Sequence, residues 1–111
     1  MAKKETIEIE KFLRESFQQR RITINKIVIF GSYARREERQ DSDIDIIIVS
    51  KDFRDKDIFE RVKLTNGIHR ELVKKIMKPL DIMYYSDIEW NKSYSLIINT
   101  AKQEGEIIYS K

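Results

Sequence analysis

Two aspartates interrupt the most apolar stretch of the chain. Asp43 and Asp45 flank Ile44 at the head of the run Ile44-Asp45-Ile46-Ile47-Ile48-Val49. In an extended segment, residues two apart project from the same face of a sheet, so the two acids form a pair. Ile44, Ile46 and Ile48 take the other face, and a slip of one residue would bury the acids, which pins the register. A third acid, Asp81, stands between Leu80 and Ile82 near the start of another β-prone run and joins the pair if the two strands are neighbours. Clustered carboxylates repel one another and titrate as a coupled set, a cost that a divalent cation removes. Mg²⁺ suits this donor set: it takes oxygen ligands, uses one or two carboxylates with water and substrate phosphates, and can share them with a second ion about 3.5 to 4 Å away. Zinc does not, because the chain has one histidine and no cysteine. Taken alone, Asp-x-Asp serves equally well as a surface turn capped by Ser42.

Its neighbours give the pair its meaning. Gly31-Ser32 follows an apolar β-branched run and precedes a stretch with helical character, so backbone N–H groups, the Ser32 hydroxyl and a helix end are placed to hold phosphate oxygens. Glycine permits the tight turn and the close approach of a ligand. Arg35 and Arg36 lie one turn further on, where either can neutralise phosphate charge or pair with Asp43. The chemistry that this order of parts suits is in-line displacement at a nucleotide α-phosphate, with an acceptor hydroxyl entering and pyrophosphate leaving.

The elements that must position these residues follow from periodicity. Ile9, Phe12, Leu13, Ser16 and Phe17 predict a helix over 6–20, and the run from Ile22 to Phe30 a strand starting near Ile24. Ser32 would cap a short helix from Tyr33. Ile44–Val49 is the second strand, residues 52–57 a charged loop. Ile58, Val62, Thr65, His69, Leu72 and Ile76 share one face of a single long helix that Pro79 ends. Residues 80–84 form a third strand, residues 86–90 a turn or short helix, residues 96–101 a helix stopped by Gly105, and residues 106–109 a short strand. His69 reads as a packed or hydrogen-bonded histidine rather than a general base, and Trp90 and Tyr94 as an edge of the core. Of Tyr84 and Tyr85, one packs and the other is exposed. The basic residues between 51 and 75 read as a solvated helix face. The fold class is α/β (α+β), a sheet covered by helices.

Bulk properties narrow the setting. The chain has 111 residues, 41% hydrophobic and 37% charged, as suits one folded domain rather than a disordered segment. A net charge of +3 does not indicate nucleic-acid binding. Without cysteine, disulfides and thiolate chemistry are excluded. The charged start Met-Ala-Lys-Lys-Glu-Thr has no signal-peptide core and no apolar run reaches membrane-spanning length, so a cytoplasmic location and no membrane association are expected.

The run Gly31-Ser32-Tyr33-Ala34-Arg35, then ten residues from Ser32 to Asp43 within Asp41-Ser42-Asp43-Ile44-Asp45, resembles the signature of minimal nucleotidyltransferases in the DNA polymerase beta-like superfamily. The resemblance extends to Asp81 on a later strand and to the closing Glu104-Gly105-Glu106-Ile107-Ile108-Tyr109. It implies a single nucleotidyltransferase domain over 1–111 and a nucleotidyltransferase fold, a small mixed β-sheet packed against helices. It also implies ATP or another nucleoside triphosphate as donor, with the triphosphate on Gly31 and Ser32 and with Arg35 beside them. Asp43, Asp45 and Asp81 would be catalytic and hold two Mg²⁺. Many short members resemble the antitoxin of a toxin-antitoxin pair whose toxin is a HEPN-domain ribonuclease, and the resemblance implies transfer of AMP to a tyrosine of that partner. The alternatives are an antitoxin that neutralises by binding alone, and transfer to a small molecule or RNA. Two copies could also pair through helix one or the carboxyl-terminal helix. If the site is intact, ATP and Mg²⁺ together raise the melting temperature more than either alone, because the metal bridges carboxylates and phosphates; equal melting temperatures with EDTA, Mg²⁺, ATP and the mixture would refute an intact site.

Overall fold

The computed structural model of the chain describes residues 4–31, 43–93 and 95–111. In chain order the elements are α1 (Lys4–Gln19), β1 (Lys26–Phe30), β2 (Ile44–Val49), a 3-10 turn (Lys51–Phe53), α2 (Ile58–Leu64), α3 (Ile68–Ile76), β3 (Leu80–Tyr85), α4 (Asp87–Lys92), α5 (Leu96–Glu104) and β4 (Glu106–Ser110). The strands form one sheet in the order β3-β2-β1-β4. β1 runs antiparallel to β2 and to β4, while β2 and β3 are parallel, so the sheet is mixed. A parallel pair needs a crossover, and α2 with α3 supplies it.

Helices cover both faces, and the alternation along the strands sorts the core into two layers. Ile27, Ile29, Ile44, Ile46 and Ile48 pack against Ile9, Leu13 and Phe17 of α1 and Ile68, Leu72 and Ile76 of α3. On the opposite face Val28, Phe30, Ile47 and Val49 meet Trp90 of α4 and Ile98 and Ala101 of α5. A central strand buried on both sides reads as a nearly continuous apolar run, which is the composition of β2. Tyr84 and Tyr85 therefore both lie half-buried, one in each layer, where the sequence suggested that one would be exposed. Phe53 sits within the stretch expected as a charged loop, yet it belongs to the 3-10 turn and is fully buried, edge-on to Tyr84 with ring centroids 5.4 Å apart.

The long helix expected over 58–76 is two helices. Gly67 takes a left-handed conformation (φ +88°) and restarts the chain as α3. The end of α2 is closed from two directions: Thr65 Oγ1 donates to the Arg61 carbonyl at 2.9 Å, and the Arg20 guanidinium donates to the carbonyls of Leu64 at 3.1 Å and Asn66 at 2.7 Å. The buried stripe runs through Arg61 and Ile68 rather than through Ile58, Val62 and His69. Arg61, Thr65, Ile68, Leu72 and Ile76 face inward, while Ile58, Phe59 and Val62 are 69%, 82% and 51% exposed, an outward apolar stripe on α2. Ser86 caps α4 in a reciprocal box with Glu89, and α5 stops at Gly105 as expected. Among the described residues no helix is long and apolar enough to cross a membrane. The Tyr33 helix and the place of Tyr94 lie outside the described residues.

Gly67 discriminates between the two readings of this segment. In a continuous helix, Gly67→Ala would stabilise by about 1 kcal/mol. At a left-handed position it should destabilise by about 1 to 2 kcal/mol, read as a lower midpoint in urea, since among the described residues a Cβ would meet Arg20 Nη2 at 3.8 Å, an ordinary contact, and the penalty is the backbone's.

Candidate active site

β1, β2 and β3 bring their ends together at one end of the sheet. The antiparallel register sets Asp45 opposite Phe30, the last residue of β1, and the parallel register sets the same Asp45 opposite Asp81. Asp45 is thus the middle of the arrangement, half-buried, with Asp81 on the neighbouring strand and Asp43 two residues back, both exposed. All three alternate with residues of the α1 and α3 layer, Ile44 and Ile46 on β2 and Leu80 and Ile82 on β3. Strand pairing here begins with the Ile44 N–H donating to the Pro79 carbonyl at 3.0 Å.

Gly31 closes the site from below. It has φ +78°, and a Cβ there would collide with Oδ2 of Asp45, so only glycine lets this carboxylate lie against the turn. The electrostatics follow from the packing. Burial first, then the charge of Asp81, then that of Asp43 push the Asp45 carboxyl above its ordinary range. An oxygen-only donor set in which one carboxylate is opposed by two others fits a hard divalent cation. Among the described residues, no three carboxylate or imidazole groups already converge as a ready-made metal cluster. Ser32, Arg35 and Arg36 lie outside the described residues.

His69 and Arg61 both bond carbonyls of β3, His69 at the Asp81 end and Arg61 at the far end. His69, expected to be packed or hydrogen-bonded, is hydrogen-bonded: its Nε2 donates to the Leu80 carbonyl at 2.7 Å. Arg61, expected on a solvated face, is only 9% exposed, and its Nη1 donates to the Tyr84 carbonyl at 2.9 Å and to Glu89 at 2.7 Å. Burial alone would raise the Glu89 carboxyl, but the Ser86 N–H and the Arg61 guanidinium outweigh it and hold it low. The signal for Arg61 was its spacing of four from Thr65 on the inward stripe, hidden because charge argues for solvent.

Residues 9–111 match the family described as Polymerase beta, Nucleotidyltransferase, and the chain belongs to that family. No curated protein matches the chain at the sequence level. Among solved structures it is similar to a chain of a toxin-antitoxin crystallised with AMP-PNP, at 19% identity and a TM-score of 0.62, covering 92% of this chain and 73% of that one. A candidate nucleotidyltransferase of Sulfolobus solfataricus aligns with 99% of this chain and 91% of its own, at 19% identity and a TM-score of 0.59. A complex of tri-AMPylated Shewanella oneidensis HEPN toxin with MNT antitoxin contains a chain that aligns at 20% identity and a TM-score of 0.58, over 96% of this chain and 71% of that one. These likenesses establish the nucleotidyltransferase fold.

Because the Asp45 carboxyl is raised in the folded state, its contribution to stability is complete below its ordinary value of 3.8 and is lost as pH rises through the raised value. Asp45→Asn removes that loss. In metal-free buffer the variant should melt above the wild type at pH 7, and the difference should shrink to nothing as the pH is brought down towards 3.8; a difference independent of pH would show that charge repulsion is not its source.

Proposed function

We propose that this chain is a Mg²⁺-dependent nucleotidyltransferase that moves AMP from ATP to a tyrosine hydroxyl of a HEPN-domain partner, and so acts as the antitoxin of a toxin-antitoxin pair. The observation that carries the proposal is the register that sets Asp45 against Asp81, with Asp43 alongside and Gly31 beneath. The matches to a toxin-antitoxin crystallised with AMP-PNP and to a complex of an AMPylated HEPN toxin support ATP as donor and a HEPN protein as acceptor.

Asp43, Asp45 and Asp81 would hold the Mg²⁺, whose charge, when bound, offsets that of the triphosphate and of the leaving pyrophosphate. The protein's own contribution is placement. β1 and β2 fix Gly31 and Asp45 in place, the glycine turn admits phosphate oxygens close to the backbone, and Ser32 and Arg35 would bind phosphate on the strength of the sequence signature. The tyrosine oxygen displaces pyrophosphate at the α-phosphorus, its proton passing to a carboxylate of the site.

Neutralisation by binding alone is the second reading, favoured by the absence of a ready-made three-ligand cluster among the described residues. One experiment separates the two. The purified HEPN partner is incubated with ATP, Mg²⁺ and either wild type or Asp43→Asn/Asp45→Asn, and its intact mass and ribonuclease activity are measured. Transfer should add the mass of AMP with wild type only, and the variant's rate should fall by about 100-fold or more, as loss of a central electrostatic contact commonly costs a few kcal/mol. Equal neutralisation by both proteins with no added mass would replace catalysis with binding.

A further inference from the structure

β3 is the edge of the sheet and carries Asp81, so its free side decides where that carboxylate stands. In a parallel ladder, alternate residues of a strand turn their backbone groups towards the neighbour. The carbonyls of Pro79 and Tyr85 accept from the Ile44 and Ser50 N–H groups of the β2 side, both at 3.0 Å. The odd positions thus face β2, and Leu80, Ile82 and Tyr84 face outward. Two of these outward carbonyls are occupied by side chains from the crossover helices: Leu80 by His69 at 2.7 Å, Tyr84 by Arg61 at 2.9 Å. The two groups do for β3 what a fifth strand would do.

The need is greatest at the Leu80 end. Pro79 brings no N–H to the ladder. Asp81 is exposed and opposes Asp45 across the pair, and their like charges push the strands apart at this point. An edge-strand end loaded with repulsion frays unless something ties it down. The tie is His69, whose hydrogen bond falls on the carbonyl of Leu80, one residue before Asp81. Because a carbonyl only accepts, Nε2 must carry the proton, which it does in either the neutral Nε2–H tautomer or the cation.

We infer that His69 is a positioning residue for the transfer reaction: by holding the Leu80 carbonyl on the free edge of β3, it keeps Asp81 in register with Asp45 as the third metal-binding carboxylate. This rests on the reading above that Asp81 serves the metal. Residues that orient metal ligands without touching the metal commonly contribute 10- to 100-fold to affinity or activity.

The test compares wild type with His69→Leu, which removes the donor, and His69→Gln, whose side-chain amide places an N–H near the position of Nε2–H. Circular dichroism first establishes that each is folded at the working temperature. AMP-PNP affinity is then measured by calorimetry across a Mg²⁺ series. His69→Leu should need about 10- to 100-fold more Mg²⁺ for half-maximal tightening of nucleotide binding, with metal-free affinity unchanged and with His69→Gln close to wild type. A loss of stability alone would not move the Mg²⁺ midpoint. A wild-type midpoint in His69→Leu, or a shift in His69→Gln as large as in His69→Leu, overturns the inference. A wild type whose nucleotide affinity ignores Mg²⁺ overturns it together with the metal reading. A His69-dependent Mg²⁺ midpoint without transfer to the HEPN partner upholds the positioning role and removes only the proposed acceptor.

Discussion

The parallel pairing of β2 with β3 is the constraint on which the rest of the molecule turns. It brings two acids far apart in the chain to the same level of neighbouring strands and holds them there against their own repulsion. The opposing force is apolar. Ile44, Ile46 and Ile48 are fully buried on one face of β2 and Ile47 on the other, and fully burying an aliphatic side chain is worth about 1.5 to 3 kcal/mol. A few such residues suffice to keep one ionised pair in place, which explains why the acids stand at the ends of the strands, where their carboxylates reach solvent, and the isoleucines in the middle.

The sequence disclosed the strands more fully than their pairing. The β-branched runs ending at Phe30 and Val49, and the alternation that puts Asp43 and Asp45 on one face, are local properties, and they hold in the fold. That Asp81 stands opposite Asp45 is a property of register between distant segments, which no local pattern encodes. Gly31 was legible as a turn, but its reason, the closeness of the Asp45 carboxylate, belongs to tertiary structure. Ser32 and Arg35 rest on the sequence signature alone.

The crossover shows why charge and hydropathy misplace residues. Apolar spacing put Ile58 and Val62 inward and made one helix of the segment. In the fold Arg61 turns inward instead, because a guanidinium can satisfy an edge carbonyl and a carboxylate together, which isoleucine cannot. The competing preference that won was hydrogen-bond satisfaction of a sheet edge. With Arg61 inward, Ile58, Phe59 and Val62 are exposed, and α3, restarted at the left-handed Gly67, buries Ile68, Leu72 and Ile76.

The break at Gly67 has a consequence for how the segment carries substitutions. In one continuous helix, a change on the outer face would tilt or rotate the whole rod and disturb His69 with it. With the chain broken at Gly67 and α2 anchored separately by Arg20, mutations can accumulate along Ile58, Phe59 and Val62 without propagating to the Leu80 end of β3. The fold thereby places the outward stripe of α2 and the His69 contact to β3 on separate helices, so that a substitution at Ile58, Phe59 or Val62 has no continuous helix through which to move His69.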